Sequence, residues 1–233
     1  MKAGCNASGL LSFYIVRDSR GEKKMDKVLL LNGSPHQFGC THTALREVSD
    51  AIEDSGLQTE ILHVGAVNIP GCKACGYCRR TGRCIMDGDP VNTVIEKLRD
   101  CSGLVVGSPV YYGGPSGAIV SLLERVFYAC DSDYLKGKPA AAIASCRRSG
   151  TTATFDRLNK FFTISQMPVV SSQYWNGVHG NNPDEVLHDL EGMQTMRTLG
   201  RNMAWMIKCF EAGRAVGIEF PESEEPIATN FIR

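Results

Sequence analysis

Four cysteines stand close together in one glycine-rich stretch of the chain: Cys72, Cys75, Cys78 and Cys84. The gaps of two, two and five residues between them let one short loop present four thiolates to a compact centre, and this spacing is typical of iron–sulfur ligation. Glycines relax the backbone of the stretch, and its arginines offset the negative charge of thiolates. The spacing favours a [4Fe-4S] cluster. Unligated thiols at a subunit contact and a zinc site, which usually takes two separated ligand pairs, stay open as alternatives.

Three other segments combine small, hydroxyl and aromatic residues where a short apolar run gives way to a helical pattern. They are residues 32–41 (NGSPHQFGCT), 107–114 (GSPVYYGG) and 145–150 (SCRRSG). In an open parallel sheet such loops meet at the carboxyl ends of the strands, where strand order reverses and ligands bind. We therefore expect the three segments to form one site.

The first of these loops predicts a phosphate site. Its tight turn through Gly33, Ser34 and Pro35 places backbone N–H groups and a hydroxyl at the start of a helix, where the partial positive charge attracts an anion. An ordinary strand-to-helix turn is the alternative. Because the chain has neither a GxGxxG sequence nor a Walker lysine, dinucleotide and ATP templates fit poorly.

The second loop offers a surface for a flat heterocycle. Residues 109–114 supply a rigid backbone and the aromatic faces of Tyr111 and Tyr112. A flavin ring is flat and partly apolar, and it needs such a surface together with backbone donors near its polar edge. The alternative is that both tyrosines fill a dimer contact. Taken together, the phosphate loop and the aromatic loop favour a flavin.

The elements that must position these loops alternate between strands and helices. Residues 28–31 form a continuous apolar run, as in a central strand that is covered on both faces. The pattern predicts strands at 27–32, 58–64, 103–109, 138–145 and 167–172. It predicts helices that begin at a Thr41 cap, at an Asp89 cap followed by Pro90 as the first helical residue, at Ser116 and at Thr151, and one long helix over 183–211. Repeated units of this kind predict an α/β fold, a doubly wound five-stranded parallel sheet with helices on both faces.

Composition narrows the classes of function. The chain has 233 residues, 43% of them hydrophobic, with 25 basic and 25 acidic side chains. These numbers fit one domain with a substantial core, which we place at residues 25–217, between an irregular extension at 1–24 and a tail at 218–233. The charge balance argues against nucleic acid as a partner, and no apolar stretch approaches the roughly 20 residues that span a bilayer. We expect a soluble protein of the reducing cytoplasm, since the remaining cysteines are scattered through periodic segments.

The stretch from residue 27 to about residue 208 resembles the flavodoxin-like NAD(P)H-dependent FMN reductases, and the cysteine loop is similar to that of their iron–sulfur flavoprotein branch. The matching segments are LLLNGSPHQFGCTHTAL, CKACGYCRRTGRC, VVGSPVYYGGPSGAIVSLLER and SQYWNGVHG. The resemblance implies that the FMN phosphate is held by Ser34, His36, Gly39, Cys40 and Thr41. It implies that the ring is held by Pro109, Val110, Tyr111, Tyr112 and Gly113 and bordered by Ser145, Arg147, Arg148 and Gly150. Many relatives have Arg in place of His36 and Asn in place of Cys40; a neutral His attracts phosphate less than a guanidinium does.

The function predicted from these features is FMN-dependent transfer of electrons from NAD(P)H to a small acceptor such as a quinone or a nitro compound, with the cluster as a further acceptor. The flavin carries the chemistry in this scheme, and the sequence shows no nucleophile–base pairing that would suggest a catalytic side chain. Two alternatives stay open. One is an iron–sulfur flavoprotein electron carrier that exchanges electrons with ferredoxin, and the other is a flavin-binding sensor without turnover.

An aromatic cluster follows the fifth predicted strand. Tyr174, Trp175 and His179 lie there, where side chains could line a pocket for the acceptor. The alternative is that the two aromatic residues anchor a subunit contact, as aromatic side chains often do. We expect a homodimer or homotetramer.

Overall fold

The computed structural model describes residues 26–130, 132–225 and 227–229, so the predicted extension at 1–24 lies outside the described residues. The strands in chain order are β1 (Lys27–Asn32), β2 (Gln58–His63), β3 (Gly103–Tyr111), β4 (Gly114–Pro115), β5 (Ala140–Cys146) and β6 (Gly177–His179). Five of them form a parallel sheet in the order β2-β1-β3-β5-β6, and β4 pairs antiparallel with β3. The order reverses between β1 and β3, which is the place where open α/β sheets bind ligands.

Helices cover both faces of this sheet. They are α1 (Cys40–Asp54), α2 (Cys78–Thr81), α3 (Val91–Asp100), α4 (Gly117–Ala129), α5 (Ser132–Leu135), α6 (Thr151–Ile164), α7 (Pro183–His188) and α8 (Leu190–Ala215). Alternate residues of β1 point into two separate cores: Leu29 and Leu31 pack with α3, α4 and α6, whereas Val28 and Leu30 pack with α1 and α8. The predicted doubly wound parallel sheet is confirmed. No helix in the described ranges is long and apolar enough to cross a membrane.

The fifth predicted strand, at 167–172, is wrong. This segment makes only a single bridge, between Val169 and Ala140, and the fifth parallel strand is β6. Between the two, the chain leaves the sheet to contact α8, where the Asn202 amide donates to the Ser171 carbonyl at 2.8 Å. The buried amide of Asn176 fills the gap in the ladder, since its Nδ2 donates to the carbonyl of Ala142 at 3.1 Å.

Two helix starts and one helix length also differ from prediction. Gly39, not Thr41, is the N-cap of α1, and Pro90 is the N-cap of α3, although the Asp89 carboxylate accepts from the Val91 N–H at 3.1 Å. The single helix predicted over 183–211 is two helices, because Asp189 caps α8 by accepting from the N–H of Gly192. Its other oxygen accepts from the backbone N–H of His179 at 2.7 Å. This hydrogen bond connects the break between α7 and α8 to β6.

Candidate flavin site and cysteine centre

The three predicted loops converge at the carboxyl edge of the sheet. The N–H of Gly33, after β1, donates to the carbonyl of Gly107 on β3 at 2.9 Å. The hydroxyls of Thr41 and Ser145 are 2.8 Å apart and buried, and they join the first loop to the third. A Cβ on Gly150 would lie 2.7 Å from Cγ1 of Val110, so the second and third loops are also in close contact. The three segments therefore lie together at this edge of the sheet, and their binding of one ligand stays a prediction.

Polar side chains that the sequence analysis did not single out hold the first loop in place. The fully buried side chain of Asn32 accepts from the Ser34 N–H and donates to the Gln37 carbonyl, both at 3.0 Å. His63 Nε2 lies 2.8 Å from the carbonyl oxygen of Ser34, and the Ser116 hydroxyl donates to the Gly33 carbonyl at 2.7 Å. The sequence analysis assigned neither His63 nor Ser116 to the site, and it placed Asn32 there only as part of the segment 32–41. A polar Asn that ends an otherwise apolar strand was the one available signal.

The start of α1 is arranged to receive an anion. Its N-cap, Gly39, offers no side-chain acceptor, and the first turn carries no acidic residue. By contrast, α4, α7 and α8 are capped by the side chains of Ser116, Asn182 and Asp189. The N–H groups at the first turn of α1 therefore have no capping side chain, and the positive end of the helix dipole adds to their attraction for a negative group.

The predicted phosphate ligands surround this helix start. Ser34 is buried, and its Oγ accepts from the N–H of His36 at 3.1 Å, while the His36 side chain is exposed at the mouth of the loop. The half-buried Cys40 points its Sγ at the Gly180 carbonyl, 3.6 Å away. Burial raises the pKa of the Cys40 thiol. The thiol therefore stays neutral at neutral pH and does not repel an anion.

The second loop is a tight hairpin with a strained tip. Tyr112 and Gly113 both have positive φ, 50° and 75°, and they connect the paired residues Tyr111 and Gly114. Positive φ at both central residues defines a type I′ turn, in which Asn or Gly is usual. A left-handed conformation costs an ordinary side chain about 1–2 kcal/mol. Tyr112 adopts it with its ring fully exposed, so the hairpin holds an aromatic ring out at the rim of the site.

The third loop leaves two exposed cations at the same edge. Arg147 and Arg148 follow β5 and are exposed. Gly150 has φ of 92° and is the N-cap of α6, which again has no side-chain cap and no acidic residue in its first turn. This end of the site therefore carries positive charge from side chains and from the helix dipole.

The three residues predicted to line the acceptor pocket do not lie together, because β6 begins after Tyr174 and Trp175. His179 lies beside Cys146 at the carboxyl end of the paired strands, so it borders the site. Tyr174 and Trp175 precede β6 instead of following the last strand as predicted, because the chain pairs with β5 only after them. Their rings contact each other, with centroids 5.2 Å apart, and both are exposed. The structure thus brings only His179 to the same edge as the loops.

The four cysteines line one pocket in the loop between β2 and α3, together with Arg125 and Tyr128 of α4. All four are free thiols: Cys72 and Cys75 are exposed, Cys78 and Cys84 half-buried. A residue with positive φ lies in each gap between them, namely Ala74 at 51°, Gly76 at 71° and Gly82 at 60°. These left-handed positions turn the backbone repeatedly and bring the thiols around one pocket.

Two of these sulfurs accept hydrogen bonds from N–H groups. The backbone N–H of Ala74 donates to Cys72 Sγ at 3.4 Å, and Arg125 donates to Cys84 Sγ through Nε at 3.4 Å and Nη2 at 3.3 Å. Asn92 grips the backbone of Cys84, accepting from its N–H at 2.9 Å and donating to its carbonyl at 3.0 Å. Such N–H donors are suited to anionic sulfur, so the donor set fits thiolate ligands of a cluster.

Within the described ranges, no group of three or more His, Cys, Asp or Glu side chains is arranged to hold a single metal ion. A four-iron cluster makes a different demand, because each of its thiolates binds a separate iron. The cluster therefore stays a prediction that rests on the pocket and on its hydrogen bonds.

The fold defines a class of protein, the flavodoxin-like α/β proteins. Among solved structures, RosB with bound 8-demethyl-8-formylriboflavin-5'-phosphate superposes with a TM-score of 0.63 at 16% identity, covering 89% of this chain and 92% of RosB. A flavodoxin from the domain Archaea superposes with a TM-score of 0.54 at 14% identity, covering 79% of this chain and 99% of the flavodoxin. These likenesses establish the fold.

The sequence identifies the family within this class. A profile of the NADPH-dependent FMN reductases matches residues 27–182, and this chain belongs to that family. An iron-sulfur flavoprotein of Methanocaldococcus jannaschii is 30% identical over 189 residues, which cover 78% of this chain and 97% of that protein. The expected resemblance is therefore confirmed.

Proposed function

We propose that this chain is an FMN-dependent oxidoreductase that moves electrons from NAD(P)H to a small acceptor such as a quinone or a nitro compound, with a [4Fe-4S] cluster on the four loop cysteines as a relay. The observation that carries the proposal is the convergence of three loops at the uncapped start of α1. Membership of the FMN reductase family supports the flavin, and the name of the relatives supports the cluster.

FMN phosphate fits the first loop through the N–H groups of α1 and the groups around Ser34, His36 and Gly39. Either hydroxyl of the buried Thr41–Ser145 pair can donate to the other. Only one of their two hydrogens is used in that bond, so the second is free to donate to a ligand.

FMN, when bound, supplies hydride and single-electron chemistry. The chain supplies the surface that would hold the flavin and the positive charge around it. The hairpin of residues 109–113 would hold the ring, and Arg147 and Arg148, exposed at the mouth, would attract the phosphates of a nicotinamide nucleotide.

Anaerobic purification, followed by a visible spectrum and analysis of iron and acid-labile sulfide, tests both cofactors at once. We expect flavin and four iron atoms per chain, the iron count following from the cluster type. Replacing Cys75 with Ser should remove the iron and spare FMN, and Cys209→Ser is a matched control because Cys209 is an exposed cysteine on α8. Full iron content in the Cys75 variant would remove the four-ligand assignment.

Stopped-flow reduction separates a reductase from an electron carrier. The second candidate, a carrier that exchanges electrons with ferredoxin, is favoured by the exposure of Cys72 and Cys75, which places a cluster within reach of a protein partner. A reductase predicts rapid flavin bleaching with NADH or NADPH. Bleaching with reduced ferredoxin and with neither nucleotide would support the carrier.

Self-association is a further part of the proposal. The exposed ring pair of Tyr174 and Trp175 supports a subunit contact, because aromatic residues are enriched at interfaces. Sedimentation velocity should show a homodimer or homotetramer that dissociates in a Trp175→Ser variant. A monomeric parent protein would contradict it.

A further inference from the structure

The cysteine pocket contains a buried cation. Arg125 on α4 is one of the largest fully buried side chains among the described residues, with 1% of its surface exposed. Its guanidinium forms an ion pair with the buried carboxylate of Asp89. It also donates to the carbonyls of Met86 at 2.9 Å and Pro70 at 3.3 Å, and its two remaining contacts are to the sulfur of Cys84. Burial of a charged group lowers stability unless the charge is paired. The Arg125 guanidinium is paired with Asp89, two carbonyls and the Cys84 sulfur.

The two contacts to Cys84 single out that sulfur. A neutral thiol is a weak acceptor, whereas an anionic sulfur accepts strongly from a charged donor. Because α4 and Asp89 fix Arg125, and Asn92 fixes the backbone of Cys84, the N–H donors and the sulfur are held together from both sides. This geometry suits a sulfur that carries negative charge permanently, as a metal ligand does.

The other arginines of the loop are placed differently. Arg83 is exposed and pairs with Glu96 and Asp87, and Arg79 donates to the hydroxyl of Tyr128. Solvent and salt screen such exposed charges. Arg125 is shielded from both. Asp89 offsets its charge at longer range, but its Nε and Nη2 groups point at the Cys84 sulfur and act on it at short range.

We propose that Arg125 is a positioning residue for the cluster, which fixes the sulfur of Cys84 and raises the reduction potential of the cluster through its buried charge and paired N–H···S hydrogen bonds. The inference rests on the proposed function, since it requires the cluster. One-electron reduction makes the cluster more negative, and a fixed cation with donors aimed at a ligand sulfur stabilises the reduced form more than the oxidised form.

A redox titration of the holoprotein tests the proposal, with dithionite as reductant and the cluster followed by its visible and paramagnetic resonance signals. In Arg125→Met/Asp89→Asn, both charges of the buried pair are removed, so no unpaired ion remains, and Asn still offers an acceptor to the Val91 N–H. We expect the equilibrium to shift at least tenfold toward the oxidised cluster, which is about 59 mV for a one-electron couple. Arg125→Lys keeps the charge but loses the fork, and we expect a smaller shift in the same direction.

The control is Arg83→Gln, which removes one positive charge from the same loop without touching a sulfur. We expect its potential to equal that of the parent protein. An unchanged potential in the double variant at full iron and sulfide content, or an equal shift in the control, would overturn the role of Arg125. A parent protein that holds no iron after anaerobic reconstitution would overturn the cluster itself, and the two failures are distinguished by the iron analysis.

A second measurement is made first on the parent protein itself. In the reduced parent protein labelled with ¹⁵N-arginine, pulsed paramagnetic resonance should detect a coupling between the cluster and a guanidinium nitrogen, and this coupling should vanish in Arg125→Lys. The absence of any arginine coupling in the reduced cluster would contradict the inference.

Discussion

Asn32→Ala tests whether the phosphate loop is organised before the flavin binds. The substitution removes two hydrogen bonds, to the Ser34 N–H and the Gln37 carbonyl. Each contributes about 1 kcal/mol, and the buried N–H of Ser34, left without its acceptor, adds a further penalty within the range of about 1–3 kcal/mol. Water can replace the bond to Gln37, which is exposed. We therefore expect the free energy of unfolding to fall by about 2–4 kcal/mol.

The same change should weaken FMN binding. For a domain of this size, the expected fall in the free energy of unfolding corresponds to a decrease in Tm of roughly 4–16 °C. If half of it reflects a loop that must be reordered by the ligand, the Kd for FMN rises roughly tenfold, since 1.4 kcal/mol is a factor of ten. Fluorescence titration of FMN into the apoprotein measures the Kd, and urea unfolding of the apoprotein measures the stability.

Two companion variants sharpen the result. Asn32→Asp keeps the acceptor for Ser34 but places a negative charge under the proposed phosphate site, so FMN affinity should fall more than stability does. Asn202→Ala removes a single amide hydrogen bond, to the Ser171 carbonyl, and should leave FMN affinity unchanged. If Asn32→Ala binds FMN as tightly as Asn202→Ala does, the first loop does not hold the phosphate as we propose.

Three further changes follow from the same site and core. Tyr112→Asn should stabilise the protein by about 1 kcal/mol in urea unfolding, because Asn tolerates the left-handed turn, yet weaken FMN binding; unchanged binding would remove Tyr112 from the flavin site. Gly150→Ala should lower both stability and FMN affinity, since its φ is 92° and its Cβ would meet Val110, whereas Gly117→Ala, with open space around it, should lower neither. Burial raises the pKa of the Cys130 thiol to about 11, so the unfolded chain loses this proton first as pH rises. The free energy of unfolding should therefore be unaffected below about pH 8 and fall toward about pH 11, and urea unfolding should show a smaller fall in Cys130→Ala.

Local patterns predicted most of the fold. The apolar run of β1 and the Ser116 cap of α4 both act over a few residues, and the structure has each of them at its predicted place. The errors arose where distant residues decide. The gap before β6 is filled by a hydrogen bond from the side-chain amide of Asn176 to Ala142, 34 residues away on β5. No local periodicity carries that information.

The site shows the same division. Residue chemistry was sufficient to place three loops together, because each loop ends a strand of a parallel sheet. It did not reveal His63, which contacts Ser34 from 29 residues away, or Arg125, whose partner Cys84 lies 41 residues earlier. The available signal was that Arg125 lies among the apolar residues of α4. The sequence did not show that its side chain contacts Cys84.

The interrupted pairing beside β5 also bears on how copies of this chain behave at high concentration. The outermost strand, β6, has only three residues with which a strand of another copy could pair. The side-chain amide of Asn176 already donates to the carbonyl of Ala142 on β5. Long, flat, unpaired strands are the usual template for runaway association. Among the described residues this flank of the sheet presents no such template, and we expect the break in pairing before β6 to reduce edge-to-edge association there.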